Sequence, residues 1–201
     1  MRFTGGKLLV ATGNRGKLAE IAALLRPFGT EILSMAALGL TEPEEVAASF
    51  AGNARIKARA GVAASGLPTL ADDSGLMVEP LGGAPGIYTA DWAEGGTGRD
   101  FGRAMWKTWQ YLRAVATEGP WRARFCCTLV LAWPDGREAV FAGQVAGQIV
   151  WPMRGDHGHG YDPIFVPDGH DLTFGELDPM VKNRISHRAD AFQKLVAECF
   201  T

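Results

Sequence analysis

The sequence predicts a single domain of interspersed strands and helices, and three observations predict it. The chain is 201 residues long and 47% hydrophobic, near the upper size for one domain and long enough to bury a core. No repeat, charge block or low-complexity linker divides it. Its apolar residues recur in two rhythms, short β-compatible runs and stripes at helical spacing. One domain is therefore read over residues 1–201, with room for two lobes.

The elements follow in order. Leu8 to Thr12 is a β-compatible run that ends in Gly13-Asn14-Arg15-Gly16, after which Leu18, Ile21, Ala22 and Leu25 repeat at helical spacing up to Pro27 and Gly29. Ser49 to Ala64, rich in Ala, reads as a second helix closed by Gly66 and Pro68. Thr69-Leu70-Ala71 is a brief strand that runs into Asp72-Asp73-Ser74-Gly75, and Gly82 to Gly86 is a loop. Asp100 caps a helix whose Phe101, Met105, Trp109, Leu112 and Ala116 form one stripe, suited to the core or a subunit interface. Ala123 to Trp133, apolar on both faces, reads as a central strand, and Pro134-Asp135-Gly136 turns it into a second strand through Gln144. Ile185, Ala189, Phe192, Val196 and Cys199 mark a final helix with Ser186 as its N-cap.

Composition excludes several classes. Twenty Lys and Arg against 22 Asp and Glu give a net charge of −2, without the basic excess of general nucleic-acid binders, so no nucleic-acid partner is expected. No segment approaches the roughly 20 apolar residues of a membrane span, so no membrane partner is expected either. Three cysteines, two of them adjacent, form neither a disulfide framework nor a spaced metal site, and a reducing cytoplasm fits.

The turn Thr12-Gly13-Asn14-Arg15-Gly16-Lys17 closes a strand and opens a helix, where unpaired amides, the helix dipole and the Lys17 charge favour an anion. It is neither a Walker loop nor a dinucleotide fingerprint. Asp72 and Asp73 follow a strand, where carboxylates hold Mg²⁺ and orient a water, with one of the two facing the ligand; an Asx turn is the plainer reading. Glu42-Pro43-Glu44-Glu45 reads as solvated loop charge. His157 and His159 are a weak transition-metal candidate, because the intervening glycines supply no rigid frame. Lys182, His187 and Arg188 cluster near the last helix and suit either solvent or an anion and a base edge.

Five motifs, Thr12-x-Asn14-x-x-Lys17, Ala71 to Leu76, Gly82 to Tyr88, Gly160 to Phe165 and Ile185 to Arg188, stand in the same order as in the Ham1-like inosine/xanthosine triphosphate pyrophosphatases. The chain resembles that family from about Leu8 to Leu195. The resemblance implies an α/β fold with a long, mixed, twisted sheet flanked by helices, two lobes and an active site in a central cleft, in a homodimer. It implies Mg²⁺-dependent hydrolysis of ITP, dITP and XTP to the monophosphate and pyrophosphate.

Carried residue by residue, it assigns Thr12, Gly13, Asn14, Arg15, Gly16 and Lys17 to the phosphates, joined by Lys57. Glu45 and Asp73 hold Mg²⁺, Asp73 accepts the proton of the attacking water, and Ser74 touches the substrate. His159, Gly160, Tyr161, Asp162 and Lys182 line the nucleoside, and His187 and Arg188 read the 6-oxo edge. An Asp near its ordinary pKa of about 3.9 is a weak base, which leaves much of the work to the metal. Three positions depart from the family: His159 in place of Phe, Asp91 in place of a basic residue, and Gly52 in place of Glu. A Maf-like pyrophosphatase for pyrimidine or modified nucleotides, and a nucleotide-binding protein without turnover, are the competing readings.

Overall fold

The computed structural model describes residues 2–96 and 98–200, with the Arg15 side chain outside the description. In chain order the elements are β1 (Lys7–Val10), α1 (Arg15–Leu25), β2 (Glu31–Ser34), α2 (Phe50–Ser65), β3 (Thr69–Val78), β4 (Glu94–Gly95), β5 (Gly98–Arg99), α3 (Phe101–Val115), β6 (Trp121–Ala132), β7 (Glu138–Ile149), β8 (Phe165–Pro167), α4 (Pro179–Ile185) and α5 (His187–Cys199). Six strands make one mixed sheet in the order β2-β1-β3-β6-β7-β8, and β4 with β5 forms a small separate ribbon.

Chemistry along the chain explains the early elements. Leu8, Leu9 and Val10 are buried, as a strand with neighbours on both edges demands. Strand β1 pairs in parallel with β2, Lys7 opposite Glu31, and with β3, Leu9 opposite Thr69. Parallel neighbours need a crossover, which α1 supplies between β1 and β2. Asn14 caps α1 by accepting from the amides of Gly16 and Lys17, and the left-handed Gly29 follows the short turn that ends it. Ser49 caps α2, and Gly66, at φ 67°, closes it.

Three expectations require correction. Strand β3 continues through Asp72, Asp73, Ser74 and Gly75 to Val78 instead of stopping at Ala71. Carboxylates are poor strand residues in isolation, but partners described below satisfy both of these. Strand β7 runs to Ile149, past the predicted end at Gln144. Its Gly147 is no breaker: a Cβ there would lie 2.6 Å from the Phe165 ring, so β8 can pair antiparallel only against glycine. The final helix begins at His187, and Ile185 belongs to the preceding α4. Ser186 separates them in extended conformation and, as predicted, caps α5 through the Ala189 amide. The buried face of α5 carries Ala191, Phe192, Leu195 and Cys199.

The chain divides into two compact units: residues 1–73, 128–142 and 191–201, and residues 74–127 and 143–190. In the first, Leu9, Ala11, Met35, Ala54, Ala58, Ala71, Val130 and Ala132 pack together, and small residues let α2 lie close to the strands. A larger, aromatic core fills the second, where Phe125 meets Phe165 at 4.8 Å and Phe174 at 6.0 Å. The predicted α3 stripe supplies part of it: Met105 and Leu112 are buried, while Phe101, Trp109 and Ala116 pack half-buried against it. Among the described residues no helix is long and apolar enough to cross a membrane.

Candidate active site

In the first unit, β1, α1, α2 and β3 converge on a cluster of charged side chains. The Lys17 ammonium, one turn into α1, meets Asp72 Oδ2 at 2.6 Å. Lys57, buried on α2, meets Glu45 Oε1 at 2.7 Å. Neither lysine therefore stands as a bare charge. Burial works against the Lys57 ammonium, but Asp72, Glu45 and Asp73 outweigh it and hold its pKa above the ordinary lysine value. Each cation in the cluster is stored against a carboxylate of the protein's own.

The amides of Gly13, Asn14, Gly16 and Lys17 are likewise occupied, which corrects the expectation of free donors there. Thr12 Oγ1 accepts from the Asn14 amide at 3.2 Å, and Asn14 Oδ1 accepts from Gly16 and Lys17 at 2.9 and 3.1 Å. The Gly13 amide donates to Glu42 Oε1 at 2.7 Å, across 29 residues of sequence. A pocket of about 530 Å³ adjoins the turn, lined by Thr12, Gly13, Leu18, Met35, Leu40 and Glu42 among others. The assignment of Arg15 falls on a side chain outside the described residues.

Within this cluster the Asp73 carboxyl is strongly perturbed. Burial lifts its carboxyl from 3.8 to about 6; Glu45 adds to the lift, while Lys57, the Asn53 hydrogen bond and Lys17 oppose it. The expectation of a weak base at an ordinary pKa is thereby overturned, because a carboxylate that binds a proton near pH 6 is matched to removing one from water.

Asn53 was not foreseen as part of this site. Only 2% exposed, it donates from Nδ2 to Asp73 Oδ2 at 3.1 Å and accepts the Ala47 amide on Oδ1 at 2.9 Å. It therefore ties the acidic strand to the loop that bears Glu45. The neighbouring departure, Gly52, has a local cause: a Cβ there would lie 2.5 Å from the Ala47 Cβ. Glu42 and Asp72 were equally unforeseen as partners, since an acidic run and an Asp pair look the same in sequence whether solvated or paired.

In the second unit, Lys182 on α4 forms an ion pair with Asp162, which is 2% exposed and also accepts the His159 amide. Lys182 further lies over the Phe174 ring at 5.6 Å. Asp162 is thus spent on anchoring the His159–Asp162 turn. Tyr161 is core: its ring packs edge-on against Phe101, its hydroxyl donates to the Thr89 carbonyl at 3.1 Å, and burial pushes its pKa well above the ordinary phenol value. Gly160, at φ 67°, carries the turn past Phe101.

His159 is exposed, and half-buried Ser74 opens this unit's part of β3. His187, at the start of α5, stacks on Phe125 with centroids 5.0 Å apart and planes 14° from parallel, and the half-buried Arg188 follows it. His157 sets Nδ1 3.3 Å from the Leu177 carbonyl. No group of three or more His, Cys, Asp or Glu that suits a metal exists among the described residues. Asp91 is exposed on a short turn.

The chain is 56% identical over 198 residues to a dITP/XTP pyrophosphatase of Ruegeria pomeroyi, covering 98% of this chain and 97% of that one. To a dITP/XTP pyrophosphatase of Rhodospirillum centenum it is 54% identical, covering 99% and 97%. A HAM1 protein of Coxiella burnetii superposes with a TM-score of 0.89 at 34% identity, over 95% of this chain and 96% of that one. A nucleoside-triphosphatase / dITP/XTP pyrophosphatase of Mycobacterium abscessus gives 0.78 at 39% identity, over 94% and 98%. The Ham1 family matches residues 8–198, and with sequence and structural likeness in agreement, the chain belongs to the Ham1 family.

Proposed function

We propose that this protein hydrolyses non-canonical purine nucleoside triphosphates, dITP, ITP and XTP, to the monophosphate and pyrophosphate, and so clears them from the nucleotide pool. The base class rests on relatives that are themselves dITP/XTP pyrophosphatases. The reaction class rests on the same relatives and on one arrangement: the buried Asp73 carboxyl beside the Lys17–Asp72 and Lys57–Glu45 pairs.

The residues divide the work. Lys17, Lys57 and the turn from Thr12 to Lys17 take the triphosphate and offset the charge that develops on the leaving pyrophosphate. Asp73 accepts a proton from water as its oxygen bonds to the α-phosphorus. The bond from that phosphorus to the bridging oxygen breaks, and pyrophosphate leaves with the electron pair. Asn53 holds one oxygen of Asp73 throughout.

Mg²⁺ fits the donor set. Burial raises the Asp73 pKa and repulsion from Glu45 adds to the rise, and a hard dication held by one or two carboxylates together with phosphate oxygens would relieve that repulsion. Bound there, it supplies Lewis-acid neutralisation of the phosphates. In the second unit His187 and Arg188 donate to the 6-oxo edge of the base. Adenine presents an amino donor at that edge, and each donor left facing it costs about 1–3 kcal/mol.

The protein works in the cytoplasm, a reading supported by Cys126, Cys127 and Cys199, none of which is in a disulfide. It does so as a homodimer, supported by the exposed large apolar side chains Trp106, Tyr111 and Val115 of α3; sedimentation gives the mass. The decisive assay mixes purified protein with Mg²⁺ and dITP, XTP, dATP or GTP. Pyrophosphate from dITP and XTP, with little from dATP or GTP, is expected. Orthophosphate as the product, or equal rates on dATP, defeats the reading.

A further inference from the structure

We propose that Glu42 sets the affinity of the phosphate turn for substrate and product alike, its carboxylate standing where a phosphate oxygen would bind. The proposal deepens the function proposed above and rests on the turn binding the triphosphate. Glu42 Oε1 accepts the Gly13 amide at 2.7 Å, and a Cβ on Gly13 would lie 3.1 Å from Glu42 Oε2, so the carboxylate covers the glycine. Both residues line the same pocket.

The other occupied amides of the turn, at Asn14, Gly16 and Lys17, are satisfied from within, by Thr12 and by the cap residue Asn14. Removing those partners would unravel the start of α1. The Gly13 partner is different. It arrives from an exposed loop without regular structure, 29 residues away, and can withdraw while the helix stays capped. A carboxylate and a phosphate oxygen offer the same charged acceptor to an amide at a helix entrance, and their like charges forbid joint occupancy.

Each ligand must therefore displace Glu42, and each meets the same cost. As pyrophosphate leaves, the carboxylate returns.

The test measures dITP hydrolysis, and inorganic pyrophosphate binding by calorimetry, on the full protein and on Glu42→Gln and Glu42→Asp. In Glu42→Gln the KM for dITP and the Kd for pyrophosphate both fall about tenfold, the worth of one charge-assisted bond, while kcat does not rise. Glu42→Asp, with the charge on a shorter arm, falls in between. A Kd for pyrophosphate that is unchanged or weaker in Glu42→Gln overturns the proposal. If the parent protein releases no pyrophosphate from dITP, the functional reading fails instead, and the binding measurement still decides the role of Glu42.

Discussion

A carboxyl that keeps its proton to about pH 6 in the folded chain works against folding once that proton is lost. Asp73 has this property because burial penalises its anion more than Lys57, Asn53 and Lys17 reward it. The folded pKa lies above the unfolded one, so its contribution to stability falls as pH rises from about 4 to about 6 and stays low beyond. In metal-free protein this amounts to about 3 kcal/mol, which Asp73→Asn does not lose. Urea unfolding of both proteins in EDTA should show the variant gaining relative to wild type across that window. The same variant should lose pyrophosphate release from dITP by about 10²–10⁴-fold, the usual worth of a general base, in an initial-rate assay. Asn53→Ala removes the acceptor of the Ala47 amide and a buried donor to Asp73 Oδ2. It should cost about 1–3 kcal/mol in the same unfolding experiment and lower kcat.

At the scale of elements, most of the helices were legible because their signals are local. Asn14, Ser49 and Asp100 each accept the amide that a cap should take. Strand limits were less legible, since a strand's length depends on its neighbours. Gly147 looks like a breaker until Phe165 is seen against it, and Asp72 and Asp73 look like a turn until Lys17 and Asn53 are seen to satisfy them. The site shows the same division. The family resemblance assigned Lys17, Lys57, Glu45 and Asp73 to the site, whereas the pairing of Lys17 with Asp72 and of Lys57 with Glu45 needed coordinates, because Lys17 and Asp72 lie 55 residues apart. Gly52 belongs here too. Alanine gains up to about 1 kcal/mol of helix propensity over glycine, yet a methyl 2.5 Å from the Ala47 Cβ must push the loop aside. Gly52→Ala should therefore destabilise by about 1–3 kcal/mol, and Ala47→Gly in the same chain should recover most of it, read as shifts in the urea midpoint.

For the molecule as a whole, the triphosphate chemistry proposed for the first unit and the base selection proposed for the second can be separated by experiment. Arg188→Ala should raise the KM for dITP and shrink the preference over dATP about tenfold, with release of pyrophosphate as the product retained. Lys182→Met leaves the buried Asp162 carboxylate without its cation. It should cost about 3 kcal/mol of stability, measured as a lowered Tm. The chain passes from one unit to the other at residues 73/74, 127/128, 142/143 and 190/191, three times inside a long strand and once inside α5. Neither half is thus a contiguous stretch of gene. Recombination between relatives cannot trade a phosphate module for a base module as cassettes, because every continuous segment long enough to carry one brings part of the other. New base preferences in such a chain must arise by point substitution, in place.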